Sequence, residues 1–193
     1  MTTHGRAAGA FWTLMFVTTA ALAAQHPQER RGFWIGFGLG YGSAGFSCDS
    51  CTGSGRTGAL SGFLKMGGTL SQRLLLGGET NGWVKGSGGA TETRGNVSVA
   101  AYYYVAPTGG FFLKGGVGYS RYASRGGFVD WTGGGVGLLL GAGYDVRVGR
   151  NVSLTPVINL FGGRLGTVDA SGYVGSGGYT HNVVQVALGV TFH

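Results

Sequence analysis

Bulky apolar residues alternate with small or polar residues in eight short stretches of this chain. In the last stretch, N-V-V-Q-V-A-L-G-V-T-F over residues 182–192, every second position from 184 onward is apolar, and the positions between these are small or mildly polar. Because the side chains of a β-strand alternate between its two faces, each stretch predicts a strand with one apolar face and one small, polar face. The apolar positions of the last stretch are Val184, Val186, Leu188, Val190 and Phe192.

The spacing of these stretches indicates how the predicted strands connect. Three connections are tight turns, T-L-S-Q, A-P-T-G-G and V-G-R-N, and the other four are longer, over residues 48–56, 86–93, 123–131 and 164–179. Bacterial membrane barrels have an even number of strands, short periplasmic turns and long outer loops. The pattern therefore predicts an up-and-down barrel with both termini on the periplasmic side. The predicted strands cover residues 33–41, 59–68, 73–84, 96–105, 111–120, 136–147, 152–161 and 182–192.

The composition favours a membrane barrel over a soluble one. Charged residues make up 11% of the chain, against about 25% in a typical soluble domain, and 43 of the 193 residues are glycine. A soluble sandwich or a lipocalin-like binding barrel also alternates, but its solvent face carries Lys, Glu, Thr and Asn rather than rows of glycine. We therefore predict an all-β, eight-stranded antiparallel transmembrane β-barrel over residues 32–193, with the lipocalin-like binding barrel as an alternative.

The N-terminal region differs from the predicted barrel. Arg6 is followed by an uncharged apolar run of 18 residues, 7–24, and then by polar residues. This is the layout of a secretory signal peptide, with a cleavage site at A-L-A. We predict a signal peptide over residues 1–23 and a short periplasmic segment over residues 24–31; the alternative is an uncleaved membrane anchor. No other stretch of 18 consecutive apolar residues occurs, so insertion of the mature chain requires strands.

Strand number, turn alternation and a terminal aromatic residue together resemble the small eight-stranded outer-membrane barrels of the OmpA transmembrane-domain and OmpX-like type, over residues 32–193. The resemblance implies a monomer in the bacterial outer membrane, in contact with outer-membrane lipid and lipopolysaccharide. In such barrels the last strand is the signal that the barrel-assembly machinery recognises during insertion, and here His193 follows that strand. The signal positions implied for this chain are Val186, Leu188, Val190 and Phe192.

Five charged residues fall on the small, polar face of their predicted strands: Lys65, Glu79, Lys114, Asp145 and Arg147. A buried charge without a partner is strongly destabilising. We therefore predict a lumenal ion-pair network centred on Glu79 and Asp145, with a position at the periplasmic rim as the alternative for Asp145 and Arg147. The resemblance to OmpA-like barrels implies a narrow gated pore as an alternative, but eight strands leave an interior only wide enough for side chains to fill.

Other basic residues lie in or beside the predicted outer loops. We predict that they ring the outer rim, where lipopolysaccharide phosphates lie; the alternative is solvated loop charge. The net charge of +7 is dispersed over turns, loops and lumen, so nucleic acid is not predicted as a partner. The predicted rim residues are Arg56, Lys85, Arg94, Arg121, Arg125 and Arg164.

Cys48 and Cys51 form C-D-S-C in the first outer loop. In an exported protein this spacing predicts a disulfide that closes a tight loop. The alternatives are a redox motif, which normally accompanies a βαβ pattern, and half of a zinc site, for which no second Cys/His pair lies nearby. We predict the structural disulfide and no cofactor.

Catalysis has little support in the sequence. His181 lies beside the fourth outer loop with Asp169 and Ser171, and outer-membrane lipid A deacylases and acyltransferases place Ser and His near the outer rim of small barrels. Nucleophile and base must come within hydrogen-bond reach, and no spacing in this sequence ensures that they do. We therefore predict a structural or surface-interaction role through the outer loops, without enzyme activity; a narrow pore and a lipid-modifying enzyme are the alternatives.

Overall fold

The computed structural model describes residues 29–47, 55–126, 130–170, 173–175 and 178–193. Within these residues the chain forms ten β-strands, of which eight are long. The strands are β1 (Phe33–Ser47), β2 (Thr57–Thr69), β3 (Leu74–Ser87), β4 (Ala90–Tyr104), β5 (Phe111–Arg125), β6 (Trp131–Tyr144), β7 (Val146–Arg147), β8 (Val152–Ala170), β9 (Tyr173–Gly175) and β10 (Tyr179–Phe192).

The eight long strands close into one antiparallel up-and-down barrel. Each pairs with the next along the chain, and β10 pairs with both β8 and β1, which joins the two ends of the sheet. The short strands β7 and β9 pair only with the two ends of β8. The predicted eight-stranded barrel is therefore confirmed. Among the described residues, no helix is long and apolar enough to cross a membrane.

The two ends of the barrel differ. The terminal end carries Arg30, His193 and the three turns over residues 70–73, 105–110 and 148–151, which are tight as predicted. The opposite end, here called the loop end, carries the remaining connections. Strands of 13 to 19 residues are longer than the roughly 9–11 residues that span a bilayer. The barrel wall therefore has more length than a bilayer requires.

Several strands extend further than the sequence predicted, and two of the differences change a turn. Residues 86–93 do not form a long loop, because β3 and β4 pair as far as Ser87 and Ala90 and are joined by Gly88 and Gly89 alone. Both glycines have positive φ, 59° and 83°, as the favoured two-residue hairpin turn requires. The sixth predicted strand, 136–147, is interrupted at Asp145, where the chain turns from β6 into β7.

The outer surface of the barrel is an apolar belt. Leu39, Val97 and Val136 each expose more than 60% of their surface, whereas most charged residues on the opposite strand faces, such as Lys65 and Glu79, are buried. Outward-facing aromatic residues bound this belt, as in membrane barrels. At the terminal end they are Phe33, Tyr103, Phe111, Tyr144 and Phe192, and at the loop end Tyr41 and Tyr119.

The inward-facing glycines make room for large side chains from other strands. A Cβ on Gly38 or Gly189 would lie 2.6 Å from the ring of Phe63, and one on Gly42 would lie 2.7 Å from Trp83. Large and small residues therefore alternate around the inner wall, and the lumen packs like a protein core.

Adding a side chain at an inward glycine will destabilise the barrel. A Cβ at Gly40 would lie 2.0 Å from the carbonyl oxygen of Val186 on β10, so Gly40→Val must separate the two strands that close the barrel. We expect its free energy of unfolding to fall by about 1–3 kcal/mol in urea titrations followed by gel mobility. Gly86→Val is the matched control, since a Cβ there meets no atom within 4 Å. Equal midpoints for the two variants would contradict the packing described.

Candidate functional site in the barrel lumen

Side chains fill the lumen along the described strands. The largest fully buried ones include two tryptophans, two tyrosines and a phenylalanine, each at most 1% exposed. Buried polar and charged groups lie among them and form three clusters. The five aromatic residues are Trp34, Trp83, Tyr102, Tyr104 and Phe112.

The central cluster is built on a buried ion pair. Lys114 Nζ lies 2.5 Å and 2.7 Å from the two carboxylate oxygens of Glu79, and both side chains are 0% exposed. The Tyr102 hydroxyl donates to Glu79 Oε2 at 2.5 Å, and Asn81 Nδ2 donates to Oε1 at 3.1 Å. Each carboxylate oxygen therefore has two donors, as a charge out of water requires.

Lys65 lies directly opposite Glu79 in the β2–β3 register, but its ammonium group is placed among aromatic rings. Its Nζ is 5.8 Å, 5.5 Å and 5.0 Å from the ring centroids of Trp34, Tyr102 and Phe112. Such contacts stabilise a desolvated cation through the negative faces of the rings. The lumenal position of Lys65 agrees with the sequence prediction, whereas its aromatic surroundings do not follow from the sequence pattern.

A chain of amides extends the central cluster across the lumen. Gln185 Nε2 donates to Ser61 Oγ at 2.6 Å, and Asn159 Nδ2 donates to Gln185 Oε1 at 2.7 Å. Asn159 Nδ2 is also 3.3 Å from Asn81 Oδ1, and Asn81 in turn donates to Glu79. These contacts join β2, β10, β8 and β3 through side chains alone, so the interior is cross-linked as well as filled.

The second cluster, at the terminal end, surrounds Asp145. The hydroxyls of Tyr104 and Thr155 donate to its two oxygens, each at 2.7 Å, and His193 Nε2 lies 3.5 Å from Oδ2. Arg147 donates instead to the main-chain carbonyl of Glu29 at 2.8 Å. Asp145 and Arg147 thus lie at the terminal end, yet both side chains are buried. The predicted network is divided: Glu79 and Lys114 meet, while Asp145 belongs to a separate cluster.

Arg30 closes the terminal end and was missed by the sequence reasoning. Its guanidinium lies 3.4 Å from the centre of the Tyr104 ring and donates to the carbonyl oxygens of Pro107 and Gly109, at 3.0 Å and 2.5 Å. Its main chain exchanges two hydrogen bonds with the side chain of Gln72. One buried residue therefore ties two turns together, and nothing but a basic residue just before the first strand pointed to it.

The third cluster, towards the loop end, is centred on Arg94, and here the prediction of a lipopolysaccharide-facing residue is wrong. Arg94 is 4% exposed, donates to Glu92 Oε1 and to the Gly45 carbonyl, and lies 5.2 Å from the Trp83 ring. The reason is strand parity: β4 begins at Ala90, so the alternation already applies at position 94 and turns it inward.

The alternation of strand faces also determines whether each of the other predicted rim residues points into or out of the barrel. Lys85 is opposite Glu92 on the inward-facing side of β3 and is half-buried, so its outward orientation is also wrong. The remaining four are exposed on the outside of the barrel: Arg56, Arg121, Arg125 and Arg164.

The remaining sequence predictions have different outcomes. Val186, Leu188, Val190 and Phe192 share the outward face of β10, and their role as an insertion signal stays a prediction. His181 Nε2 is 2.8 Å from Ser120 Oγ inside the lumen, a contact that was not foreseen. The signal peptide, Cys48, Cys51 and Ser171 lie outside the described residues, as does the side chain of Asp169.

Removing the negative charge of the central pair will destabilise the barrel. Glu79→Gln leaves the Lys114 ammonium without its counter-charge, and we expect a loss of about 3–5 kcal/mol in the free energy of unfolding. Glu79→Gln combined with Lys114→Met removes both charges and will recover much of that loss. Urea titration of the refolded variants measures both. An unchanged midpoint for Glu79→Gln would show that the pair carries no such energy.

Comparisons with known proteins agree with this architecture. No protein-family model and no curated protein matches the sequence significantly. Solved structures do match: Neisserial surface protein A at 16% identity and a TM-score of 0.57, covering 85% of this chain and 98% of that one. Ail, the attachment invasion locus protein of Yersinia pestis, matches at 12% and 0.55, covering 84% and 99%. The N-terminal barrel domain of Pseudomonas aeruginosa OprF matches at 14% and 0.50, covering 85% and 98%. This chain has the fold of the small eight-stranded outer-membrane β-barrels.

Proposed function

We propose that this protein is a sealed outer-membrane β-barrel that acts through its outer surface and not by transport or catalysis. The observation that carries the proposal is the combination of an apolar outer belt with a lumen filled by buried side chains. A soluble barrel would have the reverse arrangement, with its apolar residues inside and its charges outside. The inverted arrangement argues for lipid around the wall.

The filled lumen argues against the pore. A water path along the axis must pass Arg30 with Tyr104, then Lys114 with Glu79, then Arg94 with Trp83, and each of these groups is buried among neighbours from other strands. Opening the path requires breaking charge-assisted contacts in three clusters. A lipocalin-like role is disfavoured for the same reason, since a binding barrel needs an interior cavity.

The burial of the Ser120 and His181 side chains argues against catalysis, because a substrate cannot reach them. Ser120 and His181 form a hydrogen-bonded pair, but Ser120 is fully buried and its hydroxyl also donates to the carbonyl of Gly95 at 3.2 Å. A substrate carbonyl has no room to approach the Ser120 oxygen. The pair is accounted for as lumenal packing between β5 and β10.

The surface role that remains is structural or interactive. The belt contacts lipid, exposed arginines at the loop end meet lipopolysaccharide phosphates, and the final strand is recognised by the barrel-assembly machinery. We propose a monomer that binds neither nucleic acid nor a cofactor. Ail shares this fold and is named for attachment and invasion, so the fold serves a surface interaction in at least one protein.

The pore and the sealed barrel differ in conductance. The purified chain refolded into planar lipid bilayers is expected to give no discrete current steps at either polarity, because the three buried clusters block the axis. A general porin inserted in the same bilayers controls for detection. Reproducible small steps from this barrel would overturn the sealed-lumen proposal in favour of the pore.

A further inference from the structure

Three glycines stand side by side on the outward face of the barrel. Gly62 of β2, Gly82 of β3 and Gly95 of β4 are consecutive partners in the strand register. The same row begins with Leu39 on β1 and ends with Arg121 on β5. The outward positions on either side of the row carry larger side chains, so the row forms a depression in the belt; these neighbours are Leu60, Leu64, Thr80, Val84, Thr93 and Val97.

Packing does not require two of these three residues, Gly82 and Gly95, to be glycine. A Cβ on Gly82 would meet no atom within 4 Å, and one on Gly95 would have the Asn81 carbonyl oxygen at 3.7 Å, an ordinary contact. Inward glycines such as Gly40 and Gly118 leave less than 2.1 Å for a Cβ. The missing side chains at positions 82 and 95 therefore serve the outer surface and not the lumen.

The depression is a groove with an apolar part and a basic part. The apolar part has a volume of about 410 Å³, with Leu39, Leu60, Leu64 and Val84 around it and glycine in its floor. At Thr93 it meets a second depression of about 230 Å³, lined by Gly95, Arg121, Ala123 and Arg125. An elongated apolar ligand with an anionic group at one end would fit the apolar part of the groove and, next to it, the basic part.

The groove crosses the aromatic residues at the loop end. Leu39 lies two positions from Tyr41 on the side of the apolar belt, whereas Arg121 lies two positions beyond Tyr119, towards the loop end. Aromatic girdles mark the boundary between acyl chains and headgroups. The groove therefore rises from the acyl layer to the headgroup layer.

We propose that this groove binds lipid A, with one acyl chain over Gly62, Gly82 and Gly95 and its two phosphates at Arg121 and Arg125. The inference rests on the proposed membrane location, which puts the loop end in the outer leaflet. Arginine is suited to phosphate because its guanidinium donates two parallel hydrogen bonds. Arg121 and Arg125 are about 13 Å apart along β5, which suits the two separated phosphates of lipid A better than the single phosphate of a glycerophospholipid.

Binding of lipid A to the purified full barrel in detergent micelles, followed by native mass spectrometry, tests the site. Gly82→Val with Gly95→Val fills the floor, and Arg121→Gln with Arg125→Gln removes the charge. Each pair is expected to weaken retention of hexa-acylated lipid A by about tenfold or more, because the glycine variants lose the burial of about two methylene groups and the arginine variants lose the charge-assisted hydrogen bonds to phosphate.

Two matched controls separate the groove from general effects. Gly78→Val adds the same side chain on the outward face of β3, where the nearest atom, the Ser98 carbonyl oxygen, is 4.0 Å away. Arg31→Gln with Arg73→Gln removes two exposed positive charges at the terminal end. Both controls are expected to bind lipid A like the unaltered barrel.

Two results would overturn the proposal. One is lipid A retention that is equal in the groove variants and the controls. The other is retention of phosphatidylglycerol as strong as that of lipid A, which would assign the groove to a glycerophospholipid. Heat-dependent gel mobility verifies that every variant is folded. A chain that fails to insert into lipid at all would reject the proposed function, whereas a folded, inserted barrel without groove-dependent binding rejects only this site.

Discussion

The narrowness of an eight-stranded barrel governs the rest of this structure. Eight strands enclose a lumen only as wide as the side chains that fill it. Every large inward residue therefore needs a small one opposite, and the rings of Phe63, Trp83 and Phe112 lie against glycines on other strands. The high glycine content of the chain follows from this requirement and not from flexibility, since most of these glycines are in extended strands.

The narrow lumen also explains why every buried charge discussed above has partners within the protein. A lumen without room for bulk water cannot solvate an ion, so each buried charge needs protein partners. Glu79 has Lys114 and two further donors, and Lys65 has three aromatic rings. Arg30 has two carbonyl groups and the face of Tyr104. These contacts cross-link strands that are distant in sequence, and they block the lumen at several positions along the barrel axis.

The alternation of residue types was enough to predict the strands, their faces and the closed barrel. It also placed Glu79 and Lys114 in the lumen. An ion-pair network was also predicted, but the partner of each charge within it was not, because inward position alone does not say which strands face each other at a given height. Arg94 is a different case: the alternation from Asn96 and Ser98 extends to position 94, but the predicted strand began too late. Arg30 precedes the first strand, so no periodicity indicated its buried position.

The row of glycines on the outer surface follows from the strand register and is not visible in the sequence. Gly62, Gly82 and Gly95 belong to three separate stretches of sequence, and they become neighbours only when β2, β3 and β4 pair. The same register sets Arg121 beside them. Such a row is difficult to recognise in a glycine-rich sequence. Glycines on the lumenal face and glycines on the outer face are the same residue type, and only the structure shows on which face each one lies.

The central claim is that a sealed barrel with an apolar belt resides in a membrane. Its most direct test is gel mobility of the washed outer-membrane fraction, unboiled and boiled, from cells that express the full chain. Closed membrane barrels resist detergent and migrate compactly until they are heated, so the account predicts recovery in the membrane fraction and a heat-dependent shift. A soluble periplasmic protein whose mobility does not change on boiling would contradict it.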